Sequence, residues 1–104
     1  MGFELNREEK EAAVFLHVSG DVDVNTTPNL LKSVKAAFRS GKNEIVIDLG
    51  NVDNMDSSGI ALLVEGVRDS KKTGKPFLLT RVPKIVQGVI DLAKLTDFFT
   101  YLEE

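Results

Sequence analysis

Apolar and polar residues alternate along the chain in two ways, with strand-like runs separated by stretches of helical spacing. Residues 3–8 (FELNRE) read as a short first strand. Residues 12–20 (AAVFLHVSG) read as a stronger one, rich in Val, Leu and Phe and closed by Gly20. The segment DVDVNTTPNLL carries loop and helix-start signals. Thr27 suits a cap, and Pro28 suits the first helical position, where its missing N–H costs nothing. Leu30, Leu31, Val34, Ala37 and Phe38 then recur at helical spacing, and Gly41 is expected to end the helix. Residues 43–49 (NEIVIDL) are apolar on both faces, which predicts a central, covered strand. A helix follows to about Thr73 with a stripe of Ile60, Leu63, Val64 and Val67. Arg68, Lys71 and Lys72 stand late in it, as the helix dipole favours, and Gly74 closes it. Residues 76–80 (PFLLT) predict a strand and residues 83–95 a helix with Ile85, Val86, Val89, Ile90 and Ala93 on one side. Residues 98–102 (FFTYL) predict a last short strand.

Strands alternating with helices imply parallel pairing through right-handed crossovers. The predicted fold is α/β, a small, mostly parallel mixed sheet of four or five strands flanked by helices. The first strand runs antiparallel to the second through a turn near residues 9–11. In such folds partners meet the loops beyond the carboxyl ends of the strands. Those loops are expected to hold Asp21, Asp23, Asn25 and Thr26, then Asn51, Asp53, Asn54, Asp56, Ser57 and Ser58, then Arg81. One end of the molecule is thus acidic and rich in hydroxyls.

Composition narrows the class. The 104 residues are the size of one domain, and the 42 % apolar content suffices for a single core. No cysteine is present, so disulfides, thiolate metal sites and cysteine nucleophiles are excluded. The net charge of −3, with both signs interspersed, argues against nucleic acid. The start MGFELNREEKEAA carries charges where a signal peptide needs an apolar stretch. Asn6 stands where a myristoylation motif wants Ser or Thr. The longest apolar run, residues 60–64, is far too short to span a membrane. The expectation is a soluble, cytoplasmic single domain over residues 1–104, with no direct membrane insertion.

Catalytic chemistry finds little support. His17 falls inside a strand, away from its carboxyl end, and reads as packed or surface-facing rather than as a base for Ser57 or Ser58. NMDSSGI does not match the nucleophile elbow, and neither a P-loop nor G-x-G-x-x-G occurs. Asp21, Asp23 and Asp56 read as solvated loop charges, a weak Mg²⁺ site being the alternative. Lys71, Lys72 and Lys75 read as a solvated helix end. An aspartate-phosphorylated receiver domain would use Asp48 or Asp53 as acceptor and Thr80 as hydroxyl, but no lysine ends the last strand.

The stretch NVDNMDSSGI is the most informative. Asp56 or Ser57 can cap the helix, yet a cap needs one such residue and here three stand together ahead of Gly59. Gly59 is expected to clear space beside the hydroxyls for an approaching protein. Phosphorylation there adds about −1.5 to −2 charges. The helix N-terminus can stabilise that charge. It would land beside Asp21, Asp23, Asp53 and Asp56, so the expected effect is loss of a complex rather than of the fold.

MDSSGIALLVEGVRDSKKTG resembles the signature of the STAS domain, in particular the bacterial anti-sigma factor antagonists. VSGDVDVNTTPNLLKSV resembles the family's Gly-Asp/Glu-x-Asp segment, and VPKIVQGVIDLAKLTDFF its last helix and closing strand. The resemblance spans nearly the whole chain. It implies a partner switch. The unmodified protein would bind an anti-sigma factor that is also a GHKL-type serine kinase, and so free the sigma factor. The kinase would phosphorylate Ser57, and a PP2C-type phosphatase would reverse this. Asp23 and Asp56 are implied to touch the kinase or orient the serine, with Ser58 and Gly59 completing the motif. ATP would belong to the partner, so no cofactor is expected. Related domains also serve as subunits of lipid-transporting ABC systems, in stress-sensing assemblies and as tails of anion transporters. The lipid-transport subunit is the nearest alternative.

Overall fold

A computed structural model describes residues 2–102. In chain order the elements are β1 (Phe3–Glu9), β2 (Ala13–Val22), α1 (Thr27–Phe38), β3 (Glu44–Met55), α2 (Ser57–Thr73), β4 (Phe77–Thr80), α3 (Lys84–Leu92) and β5 (Thr100–Tyr101). β1 and β2 form an antiparallel hairpin. Its turn is closed by hydrogen bonds from the Lys10 N–H to the Ala13 carbonyl and from the Ala13 N–H to the Lys10 carbonyl, at 2.9 and 3.3 Å. The remaining pairings are parallel, and the sheet order is β1-β2-β3-β4-β5.

This order has no reversal. Every parallel step moves the same way, so right-handed crossovers place all three helices on one face. The core reflects this. Leu16, Ile47 and Leu79 from the strands pack in one cluster with Leu30 and Val34 of α1, Leu63 of α2, and Val86 and Ile90 of α3. The opposite face carries no helix. Residues 43–49 are indeed central, but helices cover only one of their two faces. On the bare face Val46 is fully buried, with Phe15 and Leu78 as its lateral neighbours in register.

β2 and β3 run further than their apolar content predicts. β3 continues to Met55 and β2 to Val22, so Asp21, Asn51, Asp53 and Asn54 lie in strands rather than loops. Val52 and Met55 bury their side chains there, while Asn51, Asp53 and Asn54 stay exposed. The pairing slips twice, from His17↔Asp48 to Ser19↔Asn51 and from Gly20↔Val52 to Asp21↔Asn54. Each slip adds one residue on β3, and such bulges bend and twist the strand end.

The helix boundaries shift for local reasons. α1 is capped by Thr26, so Thr27 is the first helical residue and Pro28 the second. It ends at Phe38 before the left-handed Gly41. α2 ends on Gly74, which adopts φ 76° and donates its N–H to the Ser70 carbonyl at 2.8 Å. α3 stops at Leu92, short of residue 95, and its apolar face is narrower than predicted. Val86 and Ile90 are buried, but Ala93 is exposed and Ile85 is half exposed.

Candidate functional site

The α2 N-terminus is built by Asp56. Its backbone is extended, and its N–H donates to the Val22 carbonyl at 3.2 Å, fixing it to the end of β2. One carboxylate oxygen, Oδ1, accepts from the Ser58 N–H at 2.9 Å and from the Ser58 hydroxyl at 2.5 Å. The Gly59 N–H reaches the Asp56 carbonyl at 3.0 Å. The Ser58 hydroxyl, reinforced by the backbone N–H groups of Ser58 and Gly59, holds the Asp56 carboxyl below its ordinary range despite some desolvation. Ser57 is the first helical residue and is exposed, whereas Ser58 is half-buried.

Gly59 differs from expectation. It is buried, and a Cβ there would lie 2.5 Å from Met55 Cγ and 3.0 Å from Val22 Cγ1. Its missing side chain therefore lets α2 pack on the ends of β2 and β3. It does not open a surface beside the hydroxyls.

The loop after β2 is tied internally. Asp23 Oδ1 accepts from the Asn25 N–H at 2.9 Å, and the Asp23 N–H donates to Thr26 Oγ1 at 2.9 Å. The Thr26 hydroxyl donates to the Asp21 carbonyl at 2.9 Å, so it braces the loop instead of bonding the first helical N–H groups. Asn54 Nδ2 donates to Asp21 Oδ1 at 3.1 Å, linking β3 to β2. Val22 pairs with Met55, so Asp23 and Asp56 leave adjacent parallel strands, whose backbones lie about 4.8 Å apart. Asp21, Asp23, Asn25, Thr26, Asp56 and Ser57 thus gather at one end of the sheet. No group of three His, Cys, Asp or Glu side chains there, or elsewhere among the described residues, is arranged to hold a metal ion.

Two features were not found from sequence. Val24, 67 % exposed, projects from the loop between Asp23 and Asn25. An apolar groove of about 420 Å³ also starts beside Ser58 and runs between α1 and α2, lined by Pro28, Leu31, Ala61 and Leu62 with Thr27 and Glu65. Below it Lys35 Nζ bridges Glu65 Oε2 at 3.0 Å and Asp69 Oδ2 at 2.8 Å, clamping the two helices. Pro28, Leu31 and Ala61 sit at helical spacing just beside the core stripes, which is the only signal the sequence offers for this groove.

The other titratable cluster is elsewhere. His17 lies on the bare sheet face between Glu8 and Asp48. Asp48 accepts both Arg81 Nε and Nη2, and Thr80 donates its hydroxyl to the Leu102 carbonyl at 3.2 Å. Asp48 is therefore a salt-bridged structural carboxylate, which removes it as the acceptor of a receiver domain.

A family model described as "Mlab, STAS domain" matches residues 5–103. The chain belongs to the STAS domain family. A curated relative, the anti-sigma-B factor antagonist of Staphylococcus epidermidis, is 28 % identical over 80 residues, covering 77 % of this chain and 74 % of that protein. Among solved structures, an anti-sigma factor antagonist from Mycobacterium paratuberculosis superimposes with a TM-score of 0.86 at 24 % identity, covering 99 % of this chain and 87 % of that one. The anti-sigma factor antagonist SpoIIAA in its unphosphorylated form gives 0.79 at 18 % identity, covering 99 % and 90 %. These likenesses establish the STAS fold, a five-stranded, mostly parallel sheet with three helices. No helix among the described residues is long and apolar enough to cross a membrane.

Proposed function

We propose that this STAS domain is an anti-sigma factor antagonist that works by phosphorylation-controlled partner switching and has no catalysis of its own. Unmodified, it binds a cytoplasmic anti-sigma factor, a GHKL-type serine kinase that carries the ATP, and so releases the sigma factor. The kinase phosphorylates Ser57, the complex parts, and a PP2C-type phosphatase resets the domain. The observation that carries this reading is exposed Ser57, the first residue of α2, which follows the Asp56 pinned to the end of β2 and precedes Ser58 in the wall of the α1–α2 groove. A strand order without reversal has no crevice between helix layers of the kind that holds nucleotides. A projecting serine beside a shallow apolar groove suits a protein surface instead. In this scheme Asp21, Asp23, Asn25, Thr26, Asp56 and Ser58 frame the docked kinase, Val24 and Leu31 supply apolar contact, and buried Gly59 acts only through helix placement.

The test is incubation with the cognate kinase and ATP, followed by mass spectrometry and binding measurements. Phosphate on Ser57 with release of the kinase is expected. Phosphate on Ser58 or an aspartate, or binding that ATP does not reverse, overturns the reading. Stable co-purification with a membrane ATPase regardless of Ser57 substitutions would instead favour a transporter subunit.

A further inference from the structure

A row of ionisable side chains crosses the helix-free face of the sheet, one from each of four successive positions. Glu8 comes from β1, His17 from β2, Asp48 from β3 and Arg81 from the residue after β4. The Asp48 side chain is only 7 % exposed. Its Oδ1 accepts from Arg81 Nε and from the Gly50 N–H, each at 2.9 Å, and its Oδ2 accepts from Arg81 Nη2 at 3.1 Å. The same Oδ2 lies 2.7 Å from His17 Nδ1, and Glu8 Oε1 lies 2.8 Å from His17 Nε2.

The chemistry of these contacts fixes a protonation state. Both atoms facing the ring are carboxylate oxygens, which accept and do not donate when ionised. A two-pronged guanidinium keeps Asp48 ionised. A neutral imidazole has one N–H and can serve one acceptor, so satisfying both requires the imidazolium. The other charged groups on this face are further off. Lys10 Nζ stands 4.4 Å over the Phe15 ring, Glu4 is opposite Ser19, and Glu44 is opposite Ala13.

The geometry points to a proton-operated latch, in which doubly protonated His17 ties the outer strand β1 to the Asp48–Arg81 pair at the sheet centre and loss of one proton releases that side-chain tie. The bond that breaks is the one to Glu8. Asp48 is buried and held from three sides, so the neutral ring keeps its Nδ1–H on Asp48. Its Nε2 lone pair then faces the Glu8 carboxylate, which is half exposed and returns to water. β1 has one strand neighbour and keeps its backbone ladder to β2, so losing this side-chain tie makes the strand fray more often without detaching it. The hydrogen bonds to Asp48 and then Glu8 raise the His17 pKa from its ordinary value against the opposing effect of burial, so the latch opens above the ordinary imidazole range.

The test is NMR on the whole chain between about pH 5 and about pH 9. Ring ¹⁵N shifts read the protonation of His17, and amide exchange, expressed as protection factors, reads β1. Both ring nitrogens are expected to be protonated at the acid end. As the ring titrates, protection at residues 4–8 should fall roughly twofold to fivefold, the range of a partly exposed ion pair, with β3 and β4 unchanged. Glu8→Gln should lower the His17 midpoint and abolish the pH step in β1 while leaving the fold intact. A midpoint at or below 6.5, β1 protection flat through the midpoint, or an unaltered step in Glu8→Gln overturns the latch.

Discussion

The Ser58 hydroxyl is bound to Asp56 Oδ1 at 2.5 Å, one residue beyond the serine proposed to accept phosphate. The adjacent hydroxyls therefore have different surroundings. Ser58 completes the cap of α2, and Ser57 is exposed to solvent.

Substituting them one at a time separates these roles. Ser58→Ala removes a hydrogen bond to a charged group and should cost about 1 kcal/mol of unfolding free energy. Ser57→Ala should leave stability within about 0.5 kcal/mol, as surface substitutions do. Chemical denaturation of both variants reads the difference.

Ser57→Asp adds charge beside Asp23 and Asp56 while sparing the cap. Its folding should match that of the unmodified domain. Its affinity for the proposed partner kinase should fall by about tenfold or more, since unmatched like charges at an interface are costly. Calorimetric titration, with circular dichroism as the folding control, checks this.

The helix glycines test packing. At Gly66 a Cβ would lie 2.5 Å from Phe77 Cε2, inside a buried ring that is itself stacked on Phe38. Gly66→Ala should destabilise by about 1–3 kcal/mol, in spite of alanine's better helix propensity. Gly59→Ala presses mainly on Met55, a flexible side chain, and should cost less. Melting temperatures of the two variants rank them.

Removing Arg81 leaves the Asp48 carboxylate buried without its strongest partner, while removing Asp48 leaves an arginine that is half exposed and can hydrate. Burial pushes the Asp48 pKa up, but the bonds from Arg81, Gly50 and His17 together hold it below its ordinary value. Arg81→Ala should therefore destabilise by about 1–3 kcal/mol and raise that pKa. Adding Asp48→Asn should recover part of the loss, which a double-mutant cycle measures.

Stability should peak on the acid side of neutrality. The Glu65 carboxyl is lowered by Lys35, and Asp91 by the hydroxyl of Thr96 and the amide of Gln87; Asp48 and Asp56 are lowered as well. These contributions are present above the unfolded carboxylate values, near 4, and vanish as pH falls through the folded ones. His17 has the opposite sign. Its raised pKa stabilises fully below 6.5, and this is lost as pH rises through the folded value. Urea midpoints should be highest between about pH 5 and about pH 6.5.

The element order was legible because the strand runs and helix stripes are strong and two helices break before Gly41 and Gly74, both with positive φ, whereas Gly20, read as a strand end, lies inside β2. The Asp56 cap was legible for the same local reason. The far end of β3 was not. Asn51, Asp53 and Asn54 have loop chemistry, and the second bulge puts the inward residues Val52 and Met55 three positions apart, which breaks the period of two. Gly59 read as an opening because its burial depends on Val22 and Met55, which only the folded chain brings against it. Glu8 and Asp48 lie 9 and 31 positions from His17, so no local pattern announces their contact.

Because each strand lies beside the one made just before it, assembly can follow synthesis. Each later strand–helix unit finds its docking edge in a strand made before it. The segment bearing Ser57 docks on Val22, made before it, so the placement of the proposed control point at the end of β2 rests on strands already made.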